Sequence, residues 1–147
     1  MIRTGTLADV ETIAEFNEAM AAETEDKSLD GETLRAGVRS MMEPPERGFY
    51  LVAEREGQVV GSLMITTEWS DWRNGTFWWV QSVYVRPDAR RQGVYSELYA
   101  EVKRRAASTD DVCGVRLYVE KDNVPARATY ETLGMTETAY RMYEEEF

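Results

Sequence analysis

The 147-residue sequence predicts an α/β domain, a mixed sheet covered by helices. Three observations predict it. Apolar residues recur with a helical period in two stretches near the N-terminus. Three runs of strand character follow between residues 49 and 85. Helical and strand patterns then alternate to the end, and the whole chain, 1–147, reads as one domain.

Residues 2–5 suit a short opening strand. Thr6 with Asp9 three positions later reads as a helix start, and Val10, Ile13, Ala14, Phe16, Asn17 and Met20 follow at helical spacing. Residues 21–29 are polar and acidic and read as a loop. Asp30 can cap a second helix with Leu34, Val38, Met41 and Met42 on one side, and Pro44 and Pro45 stop it. Residues 49–54 and 59–68 read as strands joined by a Glu56-Gly57 turn, with Gly61 marking a bulge or a close approach. Residues 76–85 are bulky on both faces, as expected of a strand covered on both sides. A helix over residues 93–107, a strand over 115–119, a helix from Asn123 to Leu133 capped by Gly134, and a last strand over 135–143 complete the order.

Composition narrows the chemistry. The formal net charge is -10, from 17 basic and 27 acidic residues, which argues against a nucleic-acid partner. No apolar run approaches the roughly 18 residues that span a bilayer, and no hydrophobic targeting segment opens the chain, so a cytoplasmic protein without a membrane partner is expected. Cys113 is the only cysteine, so no intrachain disulfide forms. There is no histidine. That removes His-dependent nucleophilic triads and histidine–metal sites, and no metal site is expected. Proton transfer falls to carboxylates, tyrosines, backbone groups or water.

The most informative stretch runs from Gln81 to Tyr95. A buried strand enters a basic turn containing Gly93 and then an amphipathic helix. Free N–H groups at such a helix start, aided by its dipole, can bind an anion. Gly93 lets a phosphate approach the backbone, and Arg90 and Arg91 can add charge-assisted bonds. An ordinary turn with solvated arginines is the other reading. The Lys-Ser/Thr ending of a nucleoside-triphosphate loop and the three spaced glycines of a dinucleotide fingerprint are both missing.

Arg90-Arg91-Gln92-Gly93-Val94-Tyr95 resembles the Gln/Arg-x-x-Gly-x-Gly/Ala signature of the GCN5-related N-acetyltransferase (GNAT) superfamily. Residues 117–135, with Asn123, Ala126, Tyr130 and Gly134-Met135 in order, resemble its second signature. The resemblance covers nearly the whole chain. It implies a mixed, mainly antiparallel sheet with helices on both faces, and acetyl-CoA bound between two splayed parallel strands, 77–85 and 115–119. Backbone groups along Val83, Tyr84 and Val85 would hold the pantetheine arm. The N–H groups of Arg91, Gln92, Gly93, Val94 and Tyr95, with the side chain of Arg90 or Arg91, would hold the pyrophosphate. Asn123 would contact the cofactor arm. Tyr95 departs from the pattern, which has a small residue there, so its ring must turn away from the phosphates.

The family activity implied is acetyl transfer to an amine. Tyr130 stands where the family often places a general acid, protonated at neutral pH because a phenol's pKa is near 10. A backbone N–H of Val80 or Gln81 is the candidate donor to the acetyl oxygen. Trp79 and Gln81 occupy strand positions where a carboxylate base is common, and neither can act as one. Glu25 and Glu120 are the candidate deprotonating or substrate-binding groups, with a water relay as the alternative. Glu68 and Asp71 flank an aromatic turn. Trp78 is expected in the core, while Trp79, Gln81 and Tyr118 are candidate acceptor contacts. The leading expectation is a small-molecule amine as acceptor. The alternatives are a protein or peptide acceptor, or an acyl-CoA-binding module without turnover. The final strand lies close to the chain end, and an exposed edge or open cleft side there suits completion by a partner subunit, so a homodimer and a monomer are the two expectations.

Overall fold

The computed structural model describes residues 1–147, which divide into two compact units, Met1–Leu117 and Tyr118–Phe147. In the first, β1 (Ile2–Thr4), α1 (Val10–Glu25), α2 (Gly31–Met42), β2 (Gly48–Arg55), β3 (Gln58–Ser70), β4 (Gly75–Val85), α3 (Val94–Ala107) and β5 (Val112–Arg116) follow in order. The sheet order is β1-β2-β3-β4-β5, antiparallel except for the last pair, which is parallel. This is the mixed sheet expected from the sequence.

Cross-strand pairing assigns the faces. Phe49, Ile65 and Val80 lie opposite one another, as do Leu51 and Leu63, and so share one face. Against it α3 buries Val94, Leu98, Tyr99 and Val102. Gly61 lets the first turn of α3 come close, since a Cβ there would lie 3.1 Å from Val94 Cγ1. Trp78 packs edge-on against Phe49, confirming its place in the core. The other face carries Tyr50 and Val52 beneath Val10 and Ile13 of α1 and Val38 and Met41 of α2. Each fully buried Leu or Ile contributes about 1.5–3 kcal/mol relative to exposure, so these two layers hold the sheet between helices.

Local signals explain most boundaries. The Asp30 carboxylate accepts the Thr33 N–H at 3.0 Å and starts α2. Glu56 and Gly57 both have positive φ, at 51° and 76°, as a tight hairpin requires. Near the N-terminus, Asp9 is buried and takes a bidentate pair from Arg3 at 2.7 and 2.9 Å, plus the Thr6 N–H at 2.8 Å.

Three expectations are corrected. The first helix runs on through Glu25, where a loop was expected from residue 21. Ala21 is buried and the alanines and glutamates there are good helix formers, so the polar composition did not break it. The strand expected over 115–119 is Val112–Arg116 instead. Its start is fixed by Asp111, whose carbonyl accepts the Thr76 N–H at 2.7 Å and whose carboxylate accepts the Thr76 hydroxyl at 2.8 Å.

The second unit contains α4 (Val124–Thr132). The Asn123 side-chain oxygen caps it by accepting the Ala126 N–H at 3.2 Å. Gly134, at φ +99°, ends it, and the Met135 N–H bonds to the Tyr130 carbonyl at 3.0 Å. The third correction falls here: residues 135–143 form no strand. Tyr140, Met142 and Tyr143 are exposed, and strand-like composition makes no strand without ladder bonds to a neighbouring strand.

Candidate functional site

The parallel pairing of β4 with β5 covers Thr76 to Trp79 and stops at the Trp79–Arg116 pair. β4 continues for Val80, Gln81, Ser82, Val83, Tyr84 and Val85 with β3 alone as its strand partner. β5 itself ends at Arg116, so beyond Trp79 one edge of β4 is left without a ladder. Within that segment Ser82 has φ 51°, and Ser62 faces Tyr84 while Met64 faces Gln81. Two residues of β4 thus oppose Leu63 alone, a β-bulge that bends the strand and re-aims its backbone. Beyond the bulge Tyr84 turns its ring toward Phe16 of α1, at a centroid distance of 5.1 Å.

Next comes the turn into α3. Arg91 and Gly93 both have left-handed backbones, at φ 61° and 78°. Gly93 is the N-cap of α3 and has no side chain to satisfy the first-turn N–H groups. A Cβ at Gly93 would meet nothing within 4 Å, so the cradle is open on that side. Successive N–H groups in such a turn, backed by the helix dipole, favour an anion. Tyr95 resolves its own anomaly: its ring stacks along the helix on Tyr99, with centroids 6.1 Å apart and planes 7° from parallel.

The arginines around the turn differ in their engagements. Arg86 is ion-paired to Asp88, at 2.6 Å, and donates to the Gln58 side chain. Arg90 donates through Nε to the Val85 carbonyl at 2.9 Å and through Nη2 to Glu23 at 2.8 Å. Its guanidinium also lies 5.4 Å from the Tyr84 ring centroid. Tyr84 Oη donates to the other Glu23 oxygen at 3.1 Å. The Arg90 guanidinium holds the Glu23 carboxyl below its ordinary range, and burial is the main cause raising the Tyr84 phenol. Arg91 is exposed and makes no ion pair.

On the α1–α2 face of the sheet, where the β4–β5 ladder ends, Trp79 and Gln81 are half-buried neighbours. Gln81 Nε2 donates to Thr66 Oγ1 at 2.7 Å. Trp79 Nε1 donates to Glu68 at 3.3 Å, and Arg116 pairs with the same Glu68 oxygen at 2.7 Å. The Arg116 guanidinium lies 3.6 Å from the Phe77 ring centroid. Phe77 can lean over β5 because residue 114 is glycine; a Cβ there would stand 2.6 Å from the Phe77 ring. Glu25 is exposed in the last turn of α1.

Four sequence-derived candidates lie in the second unit. Tyr118 is exposed. The Glu120 carboxylate accepts the Asp122 N–H at 2.7 Å, within its own turn. Asn123 caps α4, which engages its side-chain oxygen. Tyr130 lies within α4, and burial raises its phenol above the ordinary value. No group of three or more carboxylate or cysteine side chains is placed to hold a metal ion, and no helix is long and apolar enough to cross a membrane.

Sequence reasoning missed Glu23 and the role of Glu68 as a hub for Trp79 and Arg116. Glu23 was one of several acidic residues in a presumed loop. Its helical spacing from Met20 and Phe16 was the available signal, but its partners lie more than sixty positions away.

Comparison with known proteins gives a consistent picture. Residues 11–135 match the model described as the acetyltransferase (GNAT) family. The structure is similar to that of a possible acetyltransferase from Clostridium difficile 630, with 45% identity and a TM-score of 0.93, covering 100% of this chain and 97% of that one. It also resembles an aminoglycoside antibiotic 6'-N-acetyltransferase from Acinetobacter haemolyticus, with 17% identity and a TM-score of 0.80, covering 100% and 98%. A glucosamine-6-phosphate N-acetyltransferase from Arabidopsis thaliana has 19% identity and a TM-score of 0.75, covering 99% and 97%. The last two share the fold alone at that identity. No curated protein sequence matches the chain.

Proposed function

The chain belongs to the acetyltransferase (GNAT) family, and on that premise we propose that it transfers acetyl from acetyl-CoA to a primary amine of a small molecule. The observation that carries the proposal is the open N-terminal cradle of α3 directly following the unladdered edge of β4. A long ligand with a phosphate part and an amide-bearing arm fits that pair of features. The N–H groups of Arg91 to Tyr95 bind the pyrophosphate, and backbone groups of Val83 and the Val85 N–H bind the arm, whereas the Tyr84 carbonyl faces Gly61 of β3. The Val85 carbonyl already accepts Arg90. Arg91, without an ion pair, is the side chain assigned to the phosphates.

Acetyl-CoA, when bound, supplies an acetyl group activated as a thioester. The family motif assigns Asn123 to the cofactor arm and Tyr130 to the proton: its phenol, protonated at neutral pH, would donate to the departing sulfur. The N–H of Val80 or Gln81 is the donor to the acetyl oxygen. Trp79 and Gln81, flanked by Glu68, line the acceptor side, with Glu25 as a further acceptor contact; the family resemblance alone adds Tyr118 to this set. Glu25, Glu120 or a water relay takes the amine proton. In this scheme residues 1–147 serve as one acyltransferase domain.

The test is acceptor-dependent thiol release from acetyl-CoA across a panel of amines and amine-bearing peptides. Turnover with a small amine supports the proposal. Turnover confined to peptides shifts the acceptor class, and coenzyme A binding without any turnover makes the protein a binding module. Tyr130→Phe should lower kcat with little change in coenzyme A affinity; equal kcat removes the acid role.

A further inference from the structure

Four groups close a ring at the foot of the proposed cofactor turn. Glu23 lies on the last turns of α1, and its two oxygens are held separately by Arg90 Nη2 at 2.8 Å and Tyr84 Oη at 3.1 Å. Arg90 in turn holds the Val85 carbonyl at 2.9 Å and lies over the Tyr84 ring. Three chain segments thus meet: the end of α1, the end of β4 beyond its bulge, and the turn that opens α3. No other side-chain hydrogen bond from the turn reaches α1. Gln92 bonds only to the Asp88 carbonyl at 3.1 Å, inside the turn, and Arg86 bonds to Asp88 and to Gln58 of β3. Arg90 is therefore the side chain that ties the turn to α1.

We propose that Glu23 is a positioning residue for cofactor binding, acting through Arg90 to hold the phosphate-binding turn in its left-handed conformation. The inference rests on the cofactor site proposed above and goes beyond it, because Glu23 itself would not touch the ligand. It also makes a prediction opposite in sign to simple charge. Removing a carboxylate near an anion site should strengthen anion binding by Coulomb's law. Removing a carboxylate that fixes the site should weaken it, since ordering the turn is then charged to the binding step. By reciprocity, a ligand that orders the end of α1 should tighten coenzyme A by the factor with which coenzyme A tightens that ligand.

The experiment compares wild type, Glu23→Ala, Arg90→Lys and, as a matched control, Glu11→Ala. Glu11 is also on α1 and also ion-paired, to Arg35, but has no link to the turn. Calorimetry with coenzyme A should show Glu23→Ala about 5- to 10-fold weaker than wild type, at the lower end of ordinary coupling strengths. Glu11→Ala should match wild type. Arg90→Lys keeps the charge but not the fork that reaches two acceptors, so it should fall between. The KM for acetyl-CoA should rise in the Glu23 variant with kcat preserved. Hydrogen exchange in the ligand-free protein gives a second readout, at the amides of Ala89 and Glu97, which bond to the carbonyls of Arg86 and Gly93. Both should exchange faster in Glu23→Ala. Equal or tighter coenzyme A binding by Glu23→Ala overturns the inference. Failure of wild type to bind coenzyme A overturns the cofactor site, and unchanged protection at Ala89 and Glu97 overturns the tie to α1 independently.

Discussion

Gly93 and Gly57 offer a matched pair for testing the cofactor cradle. Their φ angles are 78° and 76°, and a Cβ at either would meet no atom within 4 Å. Alanine at each position therefore pays conformational strain without steric overlap. An L-residue in the left-handed region costs roughly 1–2 kcal/mol. For a domain of this size that lowers Tm by about 2–8 °C, and the two variants should fall together. Their ligand responses should separate. Gly57 sits in the β2–β3 hairpin, whereas Gly93 caps α3, where the first-turn N–H groups point. A methyl there that blocks one charge-assisted bond to a phosphate costs about 1.5–3 kcal/mol, or roughly 10- to 150-fold in affinity. Thermal melting and calorimetry with coenzyme A on both variants measure the two effects separately. Equal coenzyme A affinity in Gly93→Ala and Gly57→Ala would refute the cradle. A far larger stability loss for Gly93→Ala would show that the strain estimate had missed a contact.

Two further outcomes are expected. Asp9 is buried and held below the ordinary aspartate pKa, first by its hydrogen bonds with Arg3. A depressed carboxyl stabilises the fold above its unfolded pKa and loses that contribution as pH falls through its folded value, so the loss should begin below about pH 4. Denaturant unfolding of wild type and Asp9→Asn should show a gap at pH 7 that narrows toward pH 3; a constant gap would contradict the ion-pair account. Gly114→Ala places a Cβ 2.6 Å from the Phe77 ring, so Phe77 must move and lose its stacking with Arg116. Overpacking of this kind costs about 1–3 kcal/mol, read as a lowered Tm, and Phe77→Leu in the same chain should restore part of it.

The parts of the fold legible in the sequence were those governed by neighbours in the chain. Asp30, the Glu56-Gly57 turn, Gly93 and Gly134 act through caps and backbone angles, and each sits where local pattern placed it. β5 was read three residues late because Gly114 and Cys113 carry little strand signal, while its position is set by pairing to Thr76 through Trp79. The tail 135–143 shows the converse, with strand-like composition but no partner. In the candidate site, the turn from Val85 to Tyr95 was readable. The engagement of Arg90 with Glu23 was not, since a sequence motif records which residues are present and not which are already taken by another charge.

The bulge at Ser82 has a further consequence for how this protein meets other copies of itself. A strand edge without a ladder partner is a template onto which another chain can add in register, and repeated addition is the first step of β-aggregation. Between Val80 and Val85 such an edge exists, yet the extra residue at Ser82 and Val83 breaks the regular repeat of donors and acceptors. A flat strand cannot match it for more than two or three residues on either side. The same irregularity that suits the edge to a ligand of irregular shape makes it a poor seed for sheet growth.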